Sequence, residues 1–148
     1  MGEHLSASGG KSLAEILIVT AILGIVAAMA APAYQRFHAR LEVQTAAAEI
    51  ASTLRMARHL AMARRERLLL RFDISERMIS VRRADGGMVL TVYRYADKHV
   101  EVDEPTGGTD LFFHPSGRSA SASTIVIHDR ERRRTTVTVS LTGRVVIS

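Results

Sequence analysis

The chain has 148 residues, 47% of them hydrophobic and 24% charged, which is enough for one domain with a sizeable core and too few for two ordinary ones. Its 10 Gly and 3 Pro exclude collagen-like and low-complexity chains, and the absence of Cys excludes a disulfide framework, a thiolate metal site and a cysteine nucleophile. Twenty Lys and Arg against fifteen Asp and Glu leave a net charge of +5, which permits an anionic partner without requiring one.

From Leu13 to Ala33 the only charge is Glu15, and the run is long enough to cross a hydrocarbon core of about 30 Å as a helix. Lys11 precedes it and Arg36, His38 and Arg40 follow, so flanking charge alone does not orient it. A short N-terminal flank normally stays cytoplasmic, which places the larger C-terminal part outside. An ordinary secretory signal is the competing reading, with Ala28-Met29-Ala30 supplying small residues for cleavage. Against it, the run exceeds the usual apolar core of a signal peptide, and Glu15 sits inside it, where a carboxylate costs about 2.5–3.5 kcal/mol at a bilayer centre. Such a carboxylate calls for a cationic partner, and a free amino terminus would serve. Gly9-Gly10-Lys11-Ser12 imitates the end of a phosphate-binding loop, but Leu5 stands where the first Gly is required and no strand precedes it.

Gly10-Lys11-Ser12-Leu13-Ala14-Glu15, the apolar run after it, and Pro32-Ala33-Tyr34 resemble the class III signal of type IV prepilins and type II secretion prepseudopilins. The resemblance implies cleavage by a membrane prepilin peptidase between Gly10 and Lys11, N-methylation of Lys11, and pairing of Glu15 with the terminal amine of a neighbouring subunit. It also implies a helix kink at Pro32. Three departures stand out: Lys11 replaces the usual Phe, Ala14 replaces a larger apolar residue, and the leader carries Glu3 without Lys or Arg.

Beyond Pro32 the helical period resumes. Val43, Ala47, Ile50, Leu54, Ala57 and Ala61 alternate in steps of four and three, which puts them on one stripe of a helix continuing to about Arg67. Arg55, Arg58, His59, Met62 and Arg65 fall largely off that stripe. After Arg67 the pattern turns to short β-type runs between turn residues: 68–74, 78–83 and 88–95 as a meander, a short edge strand at 100–102, then 111–114, 124–128, 135–141 and 144–147. Val137, Val139 and Leu141 alternate with Thr138 and Ser140, as in a strand with one wet face.

This order of helix and strands, with the Phe113-His114-Pro115-Ser116-Gly117 turn and the Thr142-Gly143-Arg144 turn into a last strand, is similar to the pseudopilin H and FimT-like branch of the family. The resemblance implies an α+β lollipop, in which a long N-terminal helix, membrane-spanning in its first half, is packed on a C-terminal antiparallel β-sheet domain. The expected divisions are a leader at 1–10, a transmembrane and assembly helix at 11–34, its amphipathic continuation at 35–67 and a periplasmic β-rich domain at 68–148. The implied role is a minor pseudopilin of a type II secretion system, held in the bacterial inner membrane. Its partners would be other pseudopilins or pilins, the prepilin peptidase and secreted substrate proteins.

The residues offer little to catalysis. The six His share neither helical nor alternate-strand metal-ligand spacing, no G-x-S-x-G elbow occurs, and no metal or cofactor is expected. Asp103, Glu104 and Asp110 make an acidic loop whose spacing matches no defined calcium loop, so a solvated loop is expected. Arg130, Arg132, Arg133 and Arg134 crowd a hairpin tip, and with Arg144 they are the candidate DNA contacts of a FimT-like alternative. The Gly-Arg-x-Arg pattern expected of that alternative reads Gly143-Arg144-Val145-Val146, and aromatics at 5% leave few stacking platforms, so DNA is not favoured. A soluble secreted β protein with an ordinary signal is the third reading.

Overall fold

The computed structural model describes residues 12–129 and 133–148, with the side chains at 32, 33 and 35–40 outside the description. The chain divides after Phe37 into two units, each described by itself. Helix α1 covers Leu13–Arg64. It stops three residues before the expected end because Arg65 takes a left-handed backbone, φ 56°. The Arg65 N–H then donates to the Met62 carbonyl and the Glu66 N–H to the Ala61 carbonyl, a Schellman ending built without the usual Gly.

Eight strands follow: β1 Leu68–Asp73, β2 Met78–Arg83, β3 Val89–Arg94, β4 Glu101–Val102, β5 Asp110–Phe113, β6 Ser123–His128, β7 Arg134–Val139 and β8 Val145–Ile147. The expected meander β1-β2-β3 forms, as do the short edge strand and the hairpin of β6 and β7. The strands of the expected antiparallel domain form two four-stranded sheets, in the orders β3-β2-β1-β5 and β4-β6-β7-β8. The cause is the loop 103–109, with Pro105, Gly107 and Gly108, which separates β4 from β5 so that one returns to β1 and the other pairs with β6. Leu141 does not extend β7. The Ser140–Gly143 turn begins before it and leaves its side chain 50% exposed.

The helical stripe is buried at every position expected, and Ala46 and Ala51 widen it. Its side chains join Leu68, Leu70, Phe72, Ile79 and Val81 of the first sheet and Ile125, Ile127, Val137 and Val139 of the second in one apolar cluster. Each large aliphatic or aromatic side chain so placed contributes about 1.5–3 kcal/mol. Two arginines at the edge of the stripe reach the C-terminal turns: Arg58 Nε donates to the Gly117 carbonyl at 2.9 Å and Arg55 Nη2 to the Val145 carbonyl at 3.2 Å.

Gly143 sits against that first contact, with φ 76°, and a Cβ added to it would lie 2.0 Å from the Gly117 carbonyl oxygen. Backbone strain and backbone collision thus coincide there. Gly143→Ala is expected to cost at least about 2 kcal/mol in denaturant unfolding of the full chain in detergent, while Gly86→Ala, which opens onto free space, stays within about 0.5 kcal/mol. Equal effects at the two positions would refute the contact.

Candidate functional site

The first unit is dominated by one feature. Leu13–Ala31 has a mean hydropathy of 2.5 and no buried residue, and its large apolar side chains, from Leu13 to Met29, point outward around the whole circumference. A helix that is apolar all round needs an apolar surrounding, and this one has the length and composition to cross a membrane. Its hydroxyl is satisfied internally, since Thr20 Oγ1 donates to the Ile16 carbonyl at 2.5 Å. Glu15 stands in the first turn, where the positive end of the helix dipole favours a carboxylate. Gly10 and Lys11, the expected cleavage and methylation positions, lie outside the described residues. The helix runs through Pro32, whose missing N–H leaves the Ala28 carbonyl without its helical donor.

The basic hairpin is less open than its sequence suggests. Arg130 and Arg132 lie outside the described residues. Arg133 is held by Asp129, which is only 7% exposed: Arg133 Nε donates to Asp129 Oδ2 at 2.7 Å and the Arg133 N–H to Oδ1 at 2.8 Å. Arg134 is exposed at the start of β7. Arg144 is exposed too, but it follows the far end of β7, and a six-residue strand at about 3.3 Å per residue puts it roughly 17 Å or more from Arg134. The structure therefore does not bring Arg144 together with Arg134. The acidic loop is also dispersed. Asp110 accepts two hydrogen bonds from Arg71, at 2.7 and 2.8 Å, directly across the β1–β5 register, and Asp103 lies 2.8 Å from His128 Nε2. The Arg71 pair holds the Asp110 carboxyl below its usual range.

The family model of type II transport protein GspH matches residues 46–143, the buried helical stripe and nearly all the strands. The chain belongs to the GspH family. Among solved structures, the type IV minor pilin FimU of Pseudomonas aeruginosa superposes with a TM-score of 0.65 at 18% identity, over 76% of this chain and 92% of that one. The minor pseudopilin EpsH of the type 2 secretion system of Vibrio cholerae gives a TM-score of 0.60 at 18% identity, over 72% and 96%. No curated protein sequence is similar enough to match. The expected α+β pilin-like architecture is thus the one observed, and GspH membership implies a structural subunit that assembles with other pilin-type subunits.

Within this GspH-type domain, sequence reasoning missed the polar clamp that joins the helix to the first sheet. Tyr93 donates its hydroxyl to Glu49 Oε2 at 2.8 Å, and Lys98 Nζ donates to Glu49 Oε1 at 2.5 Å. Glu49 lies on the rim of the helical stripe, between Ala46 and Ser52, a position that periodicity reads as solvated. The Lys98 contact holds its carboxyl below the usual range, and burial together with the Glu49 carboxylate pushes the Tyr93 phenol up.

A depressed folded-state pKa means that Glu49 stabilises the fold above the ordinary carboxylate range, a contribution lost as the pH falls through the folded value. Glu49→Gln should cost about 1 kcal/mol or less near neutrality, and its gap from wild type in urea titrations should close below about pH 4. A gap that widens on acidification contradicts the clamp. Arg133→Ala leaves the Asp129 carboxylate buried without that donor and should cost about 2 kcal/mol, whereas Arg134→Ala should stay within about 0.5 kcal/mol, both read by thermal unfolding.

Proposed function

We propose that this chain is a minor pseudopilin of a type II protein secretion system, processed between Gly10 and Lys11 and assembled through its N-terminal helix into a periplasmic pseudopilus. The observation that carries the reading is the junction of an all-round apolar helix with a GspH-type domain in one continuous α1. The apolar helix gains little by packing in lipid through hydrophobicity alone, so its association with other helices must rest on van der Waals contact and polar pairing. Glu15 supplies the pairing. Cleavage after Gly10 creates an amine near the helix start, and its positive charge on one subunit offsets the cost of placing the Glu15 carboxylate of another in apolar surroundings. Pro32 lets the helix bend where it leaves the membrane, and the β domain meets neighbouring subunits or secreted proteins in the periplasm. The separation of Arg144 from Arg134 and the engagement of Arg133 by Asp129 weigh against the DNA-uptake alternative.

Intact-mass and N-terminal analysis of the protein from membranes, with and without a co-expressed prepilin peptidase, tests the reading. The expected product begins at Lys11 only with the peptidase and is heavier by one methyl. Glu15→Val should be cleaved equally well yet fail to co-purify with partner pseudopilins. A product beginning at Ala31 without the peptidase would overturn the proposal in favour of an exported soluble domain.

A further inference from the structure

Four strand edges terminate the two sheets, and three of them are closed or short. β4 has two residues and β8 three. The outer edge of β5 is covered by the segment after it, through the Phe113–Ser119 bridge and the bonds from the Ala120 N–H to the Phe112 carbonyl and from the His114 N–H to the Arg118 carbonyl. β3 is different: it is six residues long and, among the described residues, no strand pairs with its outer side.

The register says which of its groups are free. The Tyr95 N–H donates to the Arg77 carbonyl, which makes 77 and 95 a hydrogen-bonded pair. Antiparallel pairs alternate, so Met78–Arg94 and Ser80–Val92 are non-bonded pairs, and the N–H and C=O of Val92 and Arg94 point away from β2 toward the open edge. The side chains of these residues lie on the face of the sheet away from the core, with Val89, which pairs Arg82. Val89 and Val92 are 45% and 43% exposed, and Met88 just before the strand is 62% exposed. An open, apolar edge of this length attracts other strands, and natural sheets usually blunt such edges with Pro, inward charges or a covering loop.

We infer that the open edge of β3 is a docking site for an extended acidic and apolar segment of another polypeptide, which adds to the first sheet as a fifth strand. Charge selects that occupant. β2 and β3 together contain no carboxylate, whereas Arg82 and Arg94 share the outer face with the exposed valines. Arg82 Nε donates to Ser80 Oγ, an arrangement that fixes the guanidinium and leaves its charge uncompensated by either strand. Two acids of the neighbouring strands lie on this face, and both are engaged: Asp110, whose charge Arg82 shares, accepts two hydrogen bonds from Arg71, and Asp73, opposite Met78, accepts hydrogen bonds from Ser75 and the Glu76 N–H. A second copy of β3 would add another Arg94 and no carboxylate to the same face, which disfavours self-pairing. Backbone bonds to Val92 and Arg94 would supply register, and successive residues on one face of the added strand, two positions apart, would lay apolar side chains over Val89 and Val92 and an acidic side chain against Arg94, with Arg82 one strand further in. The surface belongs to the β domain and stands whether or not the chain is processed after Gly10.

The test uses the full chain in detergent micelles and two fluorescein-labelled peptides with Thr at every second position, the residues between them alternating Val with Glu in one and Val with Lys in the other so that one face carries both, read by fluorescence anisotropy. The acidic peptide should bind and the basic one should not, with affinity falling as salt rises. Val92→Pro removes an outward N–H without touching the β2 ladder, and should weaken binding at least about tenfold while thermal unfolding stays cooperative. Arg94→Glu, which asks nothing of the backbone, should weaken the acidic peptide by a similar factor and admit the basic one. Equal binding of both peptides, or an acidic-peptide affinity unchanged by Arg94→Glu, overturns the inference. Self-association by sedimentation that Val92→Pro abolishes would also overturn it, with a second copy as the occupant.

Discussion

The fold depends on how thin one side of one helix is. Two sheets contribute side chains to a single apolar cluster with α1, and the helix meets them with Ala46, Ala47, Ala51, Ala57 and Ala61, all fully buried. Alanine places backbone close to backbone and loses no side-chain entropy on burial. Ile50 and Leu54 then supply the bulk at the middle of the stripe, where the sheets contribute Leu, Ile, Val and Phe. Enlarging one of those alanines would force the sheets apart rather than fill a void, because protein cores are already close-packed. The polar contacts reinforce this seam from its borders. Glu49 holds Tyr93 and Lys98 on one flank, and Arg55 and Arg58 hold the C-terminal turns on another.

That seam was legible because a helix repeats its own environment. Val43, Ala47, Ile50, Leu54, Ala57 and Ala61 needed only their spacing to be recognised, and the strand runs needed only local alternation and turn residues. The partition into two sheets was not legible. It rests on the pairings of β1 with β5 and β4 with β6, between residues about 25 to 45 positions apart, and no local pattern encodes a non-local partner. The early end of α1 escaped for a different reason: Arg65 adopts a conformation that sequence rules assign to Gly or Asn, with the two Schellman bonds available to offset its strain. At the candidate site, the motif around Glu15 is a local string and could be read directly. The fate of the arginines could not, since Arg133 becomes part of the hairpin only once Asp129 is buried beside it.

Among the described residues arginine serves at least three separate ends, and net charge distinguishes none of them. Arg55 and Arg58 are ties to backbone carbonyls, each through a single N–H, where charge is incidental. Arg71 and Arg133 neutralise specific carboxylates within the β domain. Arg82 and Arg94 lie on a sheet face with no acid of their own strands, beside an open strand, where they can select the charge of something else. A +5 chain read as a uniformly basic surface would suggest nucleic acid, whereas the same residues sorted by partner leave a small, local excess beside an open strand.

The Gly143-Arg144 pair makes the same point at the scale of two residues. Gly143 is fixed by architecture: its φ of 76° and the 2.0 Å gap to the Gly117 carbonyl allow no side chain while the two C-terminal turns are in contact. Arg144 is fixed by nothing of the kind. Its backbone closes the Ser140 turn through both its N–H and its carbonyl, and its side chain is left exposed. A chain can therefore keep the glycine for its fold while the residues after it drift toward or away from an anion-binding role. A Gly-Arg string at this turn is evidence for the closed pair of turns first, and only a second cation brought to the same place would make it evidence for a ligand.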